Sequence, residues 1–157
     1  MGENMATVPY IGEERRTSSI RVLVVEDYEP FRRFVCSILD ERPDLQIVCE
    51  VSDGLEAVNQ AGNLQPDLIL LDVGLPSMNG IEAARRIRKL SPKSKILFLS
   101  QQSSADVVQE ALATGAKGYV SKTLAGTDLL AAVDAVLRGE HFGGTRFSSA
   151  TDSSEAL

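Results

Sequence analysis

Residues 66–80 read PDLILLDVGLPSMNG. Within this stretch, the apolar run Leu68–Leu71 leads directly into one carboxylate, Asp72, and then into a loop that contains Gly74 and Pro76. A short apolar run bounded by turn-forming residues is typical of a strand buried on both faces of a parallel sheet. The stretch therefore predicts that Asp72 lies where this strand leaves the core, at the edge where open parallel sheets bind ligands. The alternative is that Asp72 only starts the following turn, since Asp is common there.

Four further short apolar runs are spaced along the chain: Ile20–Val25, Leu45–Val51, Ile96–Leu99 and Gly118–Ser121. Apolar residues between and after these strands recur at helical spacing, which predicts helices over residues 30–40, 55–62, 80–90, 103–114 and 124–137. This alternation favours an α/β fold, a doubly wound parallel sheet that carries helices on both faces and has right-handed crossovers.

Local signals refine the ends and inner faces of these helices. Ser103 begins a capping-box pattern at the start of the fourth helix, and Asn79 is suited to cap the third. Helical spacing places Phe34, Leu55 and Leu90 on the inward faces of the first, second and third helices.

The bulk properties fit one domain. The chain has 157 residues, 43% of them hydrophobic, which is enough for one well-buried domain but few for two. We expect that domain over residues 20–139, between flexible segments at 1–19 and 140–157 that lack hydrophobic periodicity; the second could serve as a tail or a linker. The formal net charge of −6 argues against nucleic-acid contact by this chain itself, because phosphate binding needs a concentrated basic patch.

The two cysteines and the terminal sequence indicate a cytoplasmic protein. Cys36 and Cys49 have apolar neighbours and lack metal-site spacing, so we expect buried free thiols in a reducing compartment. The N-terminus lacks the apolar core of a signal peptide, and no segment approaches a membrane-spanning length. We therefore expect no membrane contact.

Polar side chains follow four of the five predicted strands. Glu26 and Asp27 come after the first strand, Asp72 ends the third, Ser100 follows the fourth and Lys122 follows the fifth. Because the carboxyl ends of parallel strands share one edge, these groups are expected to meet in one pocket. Three carboxylates repel one another unless a cation lies among them, and Mg²⁺ prefers oxygen ligands and bridges to phosphate. The pattern predicts Mg²⁺-assisted transfer of a phosphoryl group to a carboxylate.

This combination resembles the receiver domain of two-component response regulators. The resemblance rests on the acid pair after the first strand, DVGLPSMNG at the third, a hydroxyl after the fourth and GYVSK at the fifth, and it covers residues 20–139. It implies a five-stranded parallel sheet in the order 2-1-3-4-5, the flavodoxin-like arrangement. It also implies a regulatory phosphoacceptor domain, not an enzyme, with limited self-catalysed phosphorylation and dephosphorylation.

The resemblance assigns the metal and acceptor roles. Asp72 would accept the phosphoryl group, and it would also bind Mg²⁺. The other Mg²⁺ ligands would be Asp27 directly, Glu26 through water, and the backbone carbonyl of Gly74. Glu26 stands where the family more often has Asp, so its longer side chain would change the water shell.

Further residues would bind the phosphoryl group and respond to it. Under the resemblance, Lys122 would pair with the phosphoryl oxygens and Ser100 would hydrogen-bond them, while Tyr119 would be the aromatic residue that swings inward on activation. Gly74 and Gln102 would flank the attacking water and tune dephosphorylation. The change would be read at the face made by the fourth helix, fifth strand and fifth helix, either by homodimer formation or by another protein.

The implied phosphoryl donor is a sensor histidine kinase. Residues 131–147 resemble the segment that joins the receiver to a helix-turn-helix in the LuxR/NarL-type subfamily, and no helix-turn-helix follows in this sequence. Two possibilities stay open. Transcription could be controlled through a missing C-terminal helix-turn-helix that contacts DNA, or a stand-alone receiver could act by protein contacts only.

Two other functional classes fit the sequence less well. An aspartyl-phosphate phosphatase needs a second Asp two residues after its nucleophile as a general acid, and that position is Gly74. A flavodoxin-like cofactor binder needs a phosphate loop rich in glycine or hydroxyl residues after a strand, and no strand here is followed by one.

Overall fold

The computed structural model describes residues 19–143, where five parallel strands alternate with five α-helices. The elements in chain order are β1 Ile20–Val25, α1 Glu29–Leu39, β2 Leu45–Val51, α2 Gly54–Leu64, β3 Leu68–Asp72, α3 Gly80–Leu90, β4 Lys95–Ser100, α4 Ala105–Leu112, β5 Gly118–Ser121, a 3₁₀ turn Lys122–Leu124 and α5 Ala125–Leu137. The strand order is β2-β1-β3-β4-β5. The predicted α/β fold and sheet order are confirmed.

β3 lies at the centre of the sheet, between β1 and β4. All four residues of Leu68–Leu71 are fully buried. Ile69 and Leu71 pack on the side covered by α2, α3 and α4, whereas Leu68 and Leu70 pack on the side covered by α1 and α5. Because helices cover both faces, this strand has no polar alternation, and each buried side chain contributes about 1.5–3 kcal/mol.

Side-chain caps fix the starts of three helices. Asp53 accepts from the Glu56 N–H at 2.7 Å at the start of α2, and Asn79 caps α3 as predicted. At α4 the cap is Ser104, whose Oγ accepts from the Val107 N–H at 3.3 Å. The prediction of Ser103 was wrong by one residue, because two adjacent serines precede the helix and the register that buries its apolar face puts the second one at the cap.

Three residues expected on inward faces are exposed. Phe34, Leu55 and Leu90 are 44%, 49% and 52% exposed, because each helix buries only a narrow stripe and these residues lie at its margin. α2 also runs past residue 62, where we expected it to end. It ends at Leu64, and the next residue, Gln65, has a left-handed backbone (φ 49°). The side-chain amide of Gln65 donates to the carbonyls of Gly62 and Leu90, which holds this conformation.

Several smaller findings complete the fold. Cys36 on α1 and Cys49 on β2 are free thiols, as expected, but both are half-buried; β2 is an outer strand, which leaves Cys49 partly exposed. The last helix begins at Ala125, after the 3₁₀ turn rather than at residue 124. Residues 140–143 fall in the predicted C-terminal segment, and Phe142 there forms a bridge with Gly118. Among the described residues, none of the helices is long and apolar enough to cross a membrane.

Candidate functional site

Three carboxylates meet at the carboxyl edge of the sheet. Glu26 and Asp27 directly follow β1, and Asp72 is the last residue of the neighbouring β3. One oxygen from each carboxylate lies within 4.8 Å of the others. Glu26 and Asp72 are buried, with 2% and 5% exposure, whereas Asp27 is exposed. The acid cluster is therefore anchored in the protein on one side and open to solvent on the other.

The ammonium group of Lys122 lies between the two buried acids. Its Nζ is 2.7 Å from Glu26 Oε1 and 3.3 Å from Asp72 Oδ2, and its side chain is only 11% exposed. The 3₁₀ turn after β5 directs this side chain into the site, and the Phe31 ring packs against it, with 4.9 Å between Nζ and the ring centroid. A cation at this distance from an aromatic face is favourably placed.

The electrostatics of the site are unbalanced. Three carboxylates face one ammonium, which leaves a formal charge of −2. Burial raises the pKa of the Glu26 carboxyl, and Lys122 and the Tyr28 N–H only partly offset this. Burial also acts to lower the pKa of Lys122, but Glu26 and Asp72 outweigh it, so the net pKa of Lys122 is raised. A second cation would relieve the excess negative charge.

The donor set suits a hard divalent cation. All three side chains offer carboxylate oxygens, which Mg²⁺ prefers. Glu26 Oε1 is buried, and its contact with the Lys122 ammonium at 2.7 Å leaves its remaining lone pair without a donor among the described residues. Such a buried acceptor is costly unless another group uses it. The acidic cluster can therefore bind a metal ion.

Ser100, Gln102 and Tyr119 form a connected group beside the acids. Ser100 is 1% exposed, and its Oγ accepts from the Gln102 N–H at 3.0 Å. The Tyr119 hydroxyl donates to the Gln102 carbonyl at 2.6 Å. Tyr119 is 1% exposed, and burial raises the pKa of its hydroxyl. An inward swing of Tyr119 would have to start from this buried position, so that role stays a prediction.

A cavity of about 590 Å³ opens over these groups. Its lining includes every predicted site residue except Tyr119: Glu26, Asp27, Asp72, Gly74, Ser100, Gln102 and Lys122. The Gly74 N–H donates to Asp72 Oδ1 at 3.3 Å, and no atom lies within 4 Å of the place where a Gly74 side chain would begin. Gly74 therefore leaves the cavity open on its side of Asp72.

Three site neighbours on α1 and the loop before it escaped the sequence prediction. The Tyr28 N–H donates to Glu26 Oε2 at 3.0 Å, and Arg32 Nη1 donates to the Glu26 carbonyl at 2.8 Å. Phe31 lies against Lys122. Their position within the first turns after the acid pair is the sequence signal that points to them, since a helix that follows a strand begins at the same edge of the sheet as that strand's end.

The sheet order and the acid cluster together define a flavodoxin-like α/β domain with an acidic edge that can hold a metal ion. The profile of the response regulator receiver domain matches residues 22–134, and the chain belongs to this family.

Known proteins agree with this assignment. VraR of Staphylococcus aureus, a response regulator protein, is 38% identical over 122 residues, which are 78% of this chain and 58% of VraR. DegU of Brevibacillus brevis, a transcriptional regulatory protein, is 33% identical over 129 residues, which are 82% of this chain and 55% of DegU. This chain thus spans little more than half the length of these relatives.

Solved structures match the fold closely. A LuxR-family two-component response regulator from Aurantimonas sp. SI85-9A1 gives a TM-score of 0.81 at 27% identity, and the match covers 89% of this chain and all of that one. The signal receiver domain of NarL from Mycobacterium tuberculosis gives 0.74 at 29% identity, covering 78% of this chain and 99% of that domain. The predicted resemblance to LuxR/NarL-type receivers is confirmed.

Proposed function

We propose that this receiver domain accepts a phosphoryl group on Asp72 and changes its interaction surface in response. The observation that carries the proposal is the position of Lys122, whose ammonium touches Asp72 within a cluster of three acids under an open cavity. A carboxylate with a cation on one side and open access on the other can act as a nucleophile toward phosphorus.

Mg²⁺ is the proposed cofactor. Asp27 and Asp72 would bind it directly with the Gly74 carbonyl, and Glu26 would bind it through water. When bound, Mg²⁺ would neutralise charge on the phosphoryl oxygens during transfer.

The transfer step uses groups of this chain for the remaining work. A carboxylate oxygen of Asp72 attacks the phosphorus of a phosphohistidine on a sensor histidine kinase; the new O–P bond forms as the P–N bond breaks, and the imidazole leaves with the electron pair. The Lys122 ammonium moves its contact from the carboxylates to the phosphoryl oxygens, and the Ser100 hydroxyl donates to one of them. Small donors such as acetyl phosphate would react in the same way.

Hydrolysis of the acyl phosphate on Asp72 would set the lifetime of the signal. Gly74 and Gln102 both line the cavity over Asp72. We propose that the Gln102 amide orients the water that attacks the acyl phosphate, while Gly74 leaves room for it. This limited self-catalysed turnover makes the domain a regulator rather than an enzyme.

The proposed output is control of transcription in the cytoplasm, as the similarity to DegU, a transcriptional regulatory protein, suggests. The net charge of −6 disfavours DNA contact by residues 1–157, so DNA would be read by a helix-turn-helix outside them. The switch residues adjoin the face formed by α4, β5 and α5, and α4 and α5 both contact β5. Homodimer formation or docking of another protein at this face would transmit the change; a stand-alone receiver acting only by such contacts is the alternative.

Intact-mass spectrometry tests the acceptor role. With acetyl phosphate and Mg²⁺ we expect one phosphoryl group on the wild-type chain and none after addition of EDTA. Asp72→Asn should remove the modification, whereas Asp67→Asn, an exposed residue just before the opposite end of β3, should retain it. Unchanged modification in Asp72→Asn would exclude Asp72 as the acceptor.

A further inference from the structure

The chain that follows α5 returns along the outer edge of the sheet. β5 is the last strand in the order, so one of its edges faces no other strand of residues 19–143. Phe142 lies along this edge: its N–H donates to the Lys117 carbonyl at 3.1 Å, and its carbonyl accepts from the Tyr119 N–H at 3.0 Å. A parallel bridge joins Phe142 to Gly118 between these two bonds. We call residues 140–143 the edge segment.

Gly143 fits the edge segment closely against Tyr119. Its backbone has φ of +87°, a left-handed conformation that favours glycine. A Cβ added to Gly143 would run into the Tyr119 carbonyl oxygen. Gly139 also has a positive φ, +88°, but nothing lies within 4 Å of where its Cβ would be. Gly139 therefore serves only the turn after α5, whereas Gly143 permits contact with the backbone of β5.

The side chain of Tyr119 reaches the opposite way, to the site. Its hydroxyl donates to the Gln102 carbonyl, and the Gln102 N–H donates to Ser100 Oγ. Tyr119 is also packed against Phe98, with ring centroids 6.1 Å apart. One residue thus connects the loop that follows β4 with the edge segment, through its side chain at one end and its backbone at the other.

We propose that the outer edge of β5 is a docking surface whose occupant is the edge segment of this same chain, and that the phosphoryl state of the site controls this docking. The inference rests on the proposed function. Movement of Ser100 toward a phosphoryl group displaces the Gln102 amide bonded to it, and the Gln102 carbonyl moves as well. The Tyr119 hydroxyl, which is hydrogen-bonded to Ser100 as well as to the Gln102 carbonyl, is displaced together with these partners, so the ring and backbone of Tyr119 shift and the edge segment loosens. The chain beyond Gly143 receives the signal through this change.

Amide exchange measured by NMR on the full 157-residue chain tests the proposal. Beryllofluoride with Mg²⁺ serves as the phosphoryl mimic. We expect it to speed exchange of the Tyr119 amide about tenfold, within the usual range of coupling between two sites. Gly143→Ala should speed the same exchange without the mimic. Gly139→Ala carries the same backbone strain without the contact, and it should leave Tyr119 exchange within about twofold of wild type.

Coupling between sites is reciprocal, which supplies a second measurement. Loosening the edge segment by Gly143→Ala should tighten beryllofluoride binding by the same factor of about ten, and Gly139→Ala should not. Phe142→Pro, which removes the N–H that donates to Lys117, should act like Gly143→Ala and covers the case in which that variant fails to fold.

The outcomes separate the two proposals. If the mimic shifts the signals of Ser100 and Asp72 but leaves Tyr119 exchange and the edge segment unchanged, the docking inference is wrong and the phosphoacceptor function stands. If the mimic does not bind the wild-type chain at all, both are overturned.

Discussion

Replacement of Lys122 by methionine should destabilise the domain, and Mg²⁺ should restore much of the loss. Lys122 is the ammonium that contacts Glu26 and Asp72, whose side chains are only 3% and 7% exposed. Removing one partner of a buried ion pair typically costs 3–5 kcal/mol, because the remaining charge is left uncompensated. The cavity above the site admits water and eases this penalty, so we expect a loss at the lower end, about 3 kcal/mol.

Urea unfolding measures this loss directly. With an m-value of about 1.5 kcal/mol/M, a loss of about 3 kcal/mol lowers the midpoint by about 2 M. A cation that binds only the folded state at a concentration of about 100 times its Kd returns about 2.7 kcal/mol, so Mg²⁺ should move the variant most of the way back to the wild-type midpoint without Mg²⁺. Lys93→Met alters an exposed lysine and should change the free energy of unfolding by less than about 0.5 kcal/mol.

Two results would refute this reasoning. A Lys122→Met midpoint equal to that of Lys93→Met would mean that the two buried acids do not depend on the ammonium. If Lys122→Met lowers the free energy of unfolding by about 3 kcal/mol and Mg²⁺ does not restore it, the acid cluster does not hold a cation in the folded protein.

Three further predictions concern other parts of the molecule. Gln102→Ala should lengthen the half-life of the acyl phosphate, followed by intact mass, and an equal or shorter half-life contradicts its role with water. Arg42 holds the Asp44 pKa below its usual range through a two-bond contact. Arg42 also pairs with Asp134 at 3.0 Å. Arg42→Ala should therefore cost about 1 kcal/mol at neutral pH, and its difference from wild type should shrink as the pH drops through the lowered pKa of Asp44, because protonation of Asp44 removes that pair. Gly80→Ala would push a Cβ into the backbone of β3 and should cost about 3 kcal/mol or more, whereas Gly126→Ala, with only an ordinary contact at 3.6 Å in α5, should be neutral or stabilising in the same unfolding assay.

The sheet and the assembly of the site could be predicted because they depend on simple patterns. The run Leu68–Leu71 has no polar alternation, which only a strand covered on both faces tolerates. Since parallel strands end at one edge, the polar residues after four strands had to converge once the order of the strands was known. That order came from the resemblance; the periodicity of the apolar residues does not determine it.

Contacts that depend on side-chain length or on distant pairing could not be predicted. Lys122 lies nearer to Glu26 than to Asp72, which follows from the longer Glu side chain and from the 3₁₀ turn. Phe31 has the helical spacing of a core residue and packs against the core, but that spacing does not reveal its contact with the Lys122 ammonium. The composition of residues 140–157 indicates a tail, and nothing local shows that Phe142 pairs with an edge strand far earlier in the chain.

The central claim is that Asp72 carries the phosphoryl group, and chemical trapping locates it most directly. The chain is treated with acetyl phosphate and Mg²⁺, the acyl phosphate is reduced with borohydride, and the peptides are sequenced by tandem mass spectrometry. Reduction converts a phosphorylated aspartate to homoserine and leaves free carboxylates unchanged. We predict homoserine at position 72 and nowhere else in the acid cluster. Homoserine at position 27, or an unmodified peptide spanning residues 66–80 from a chain whose intact mass shows phosphorylation, would contradict the account.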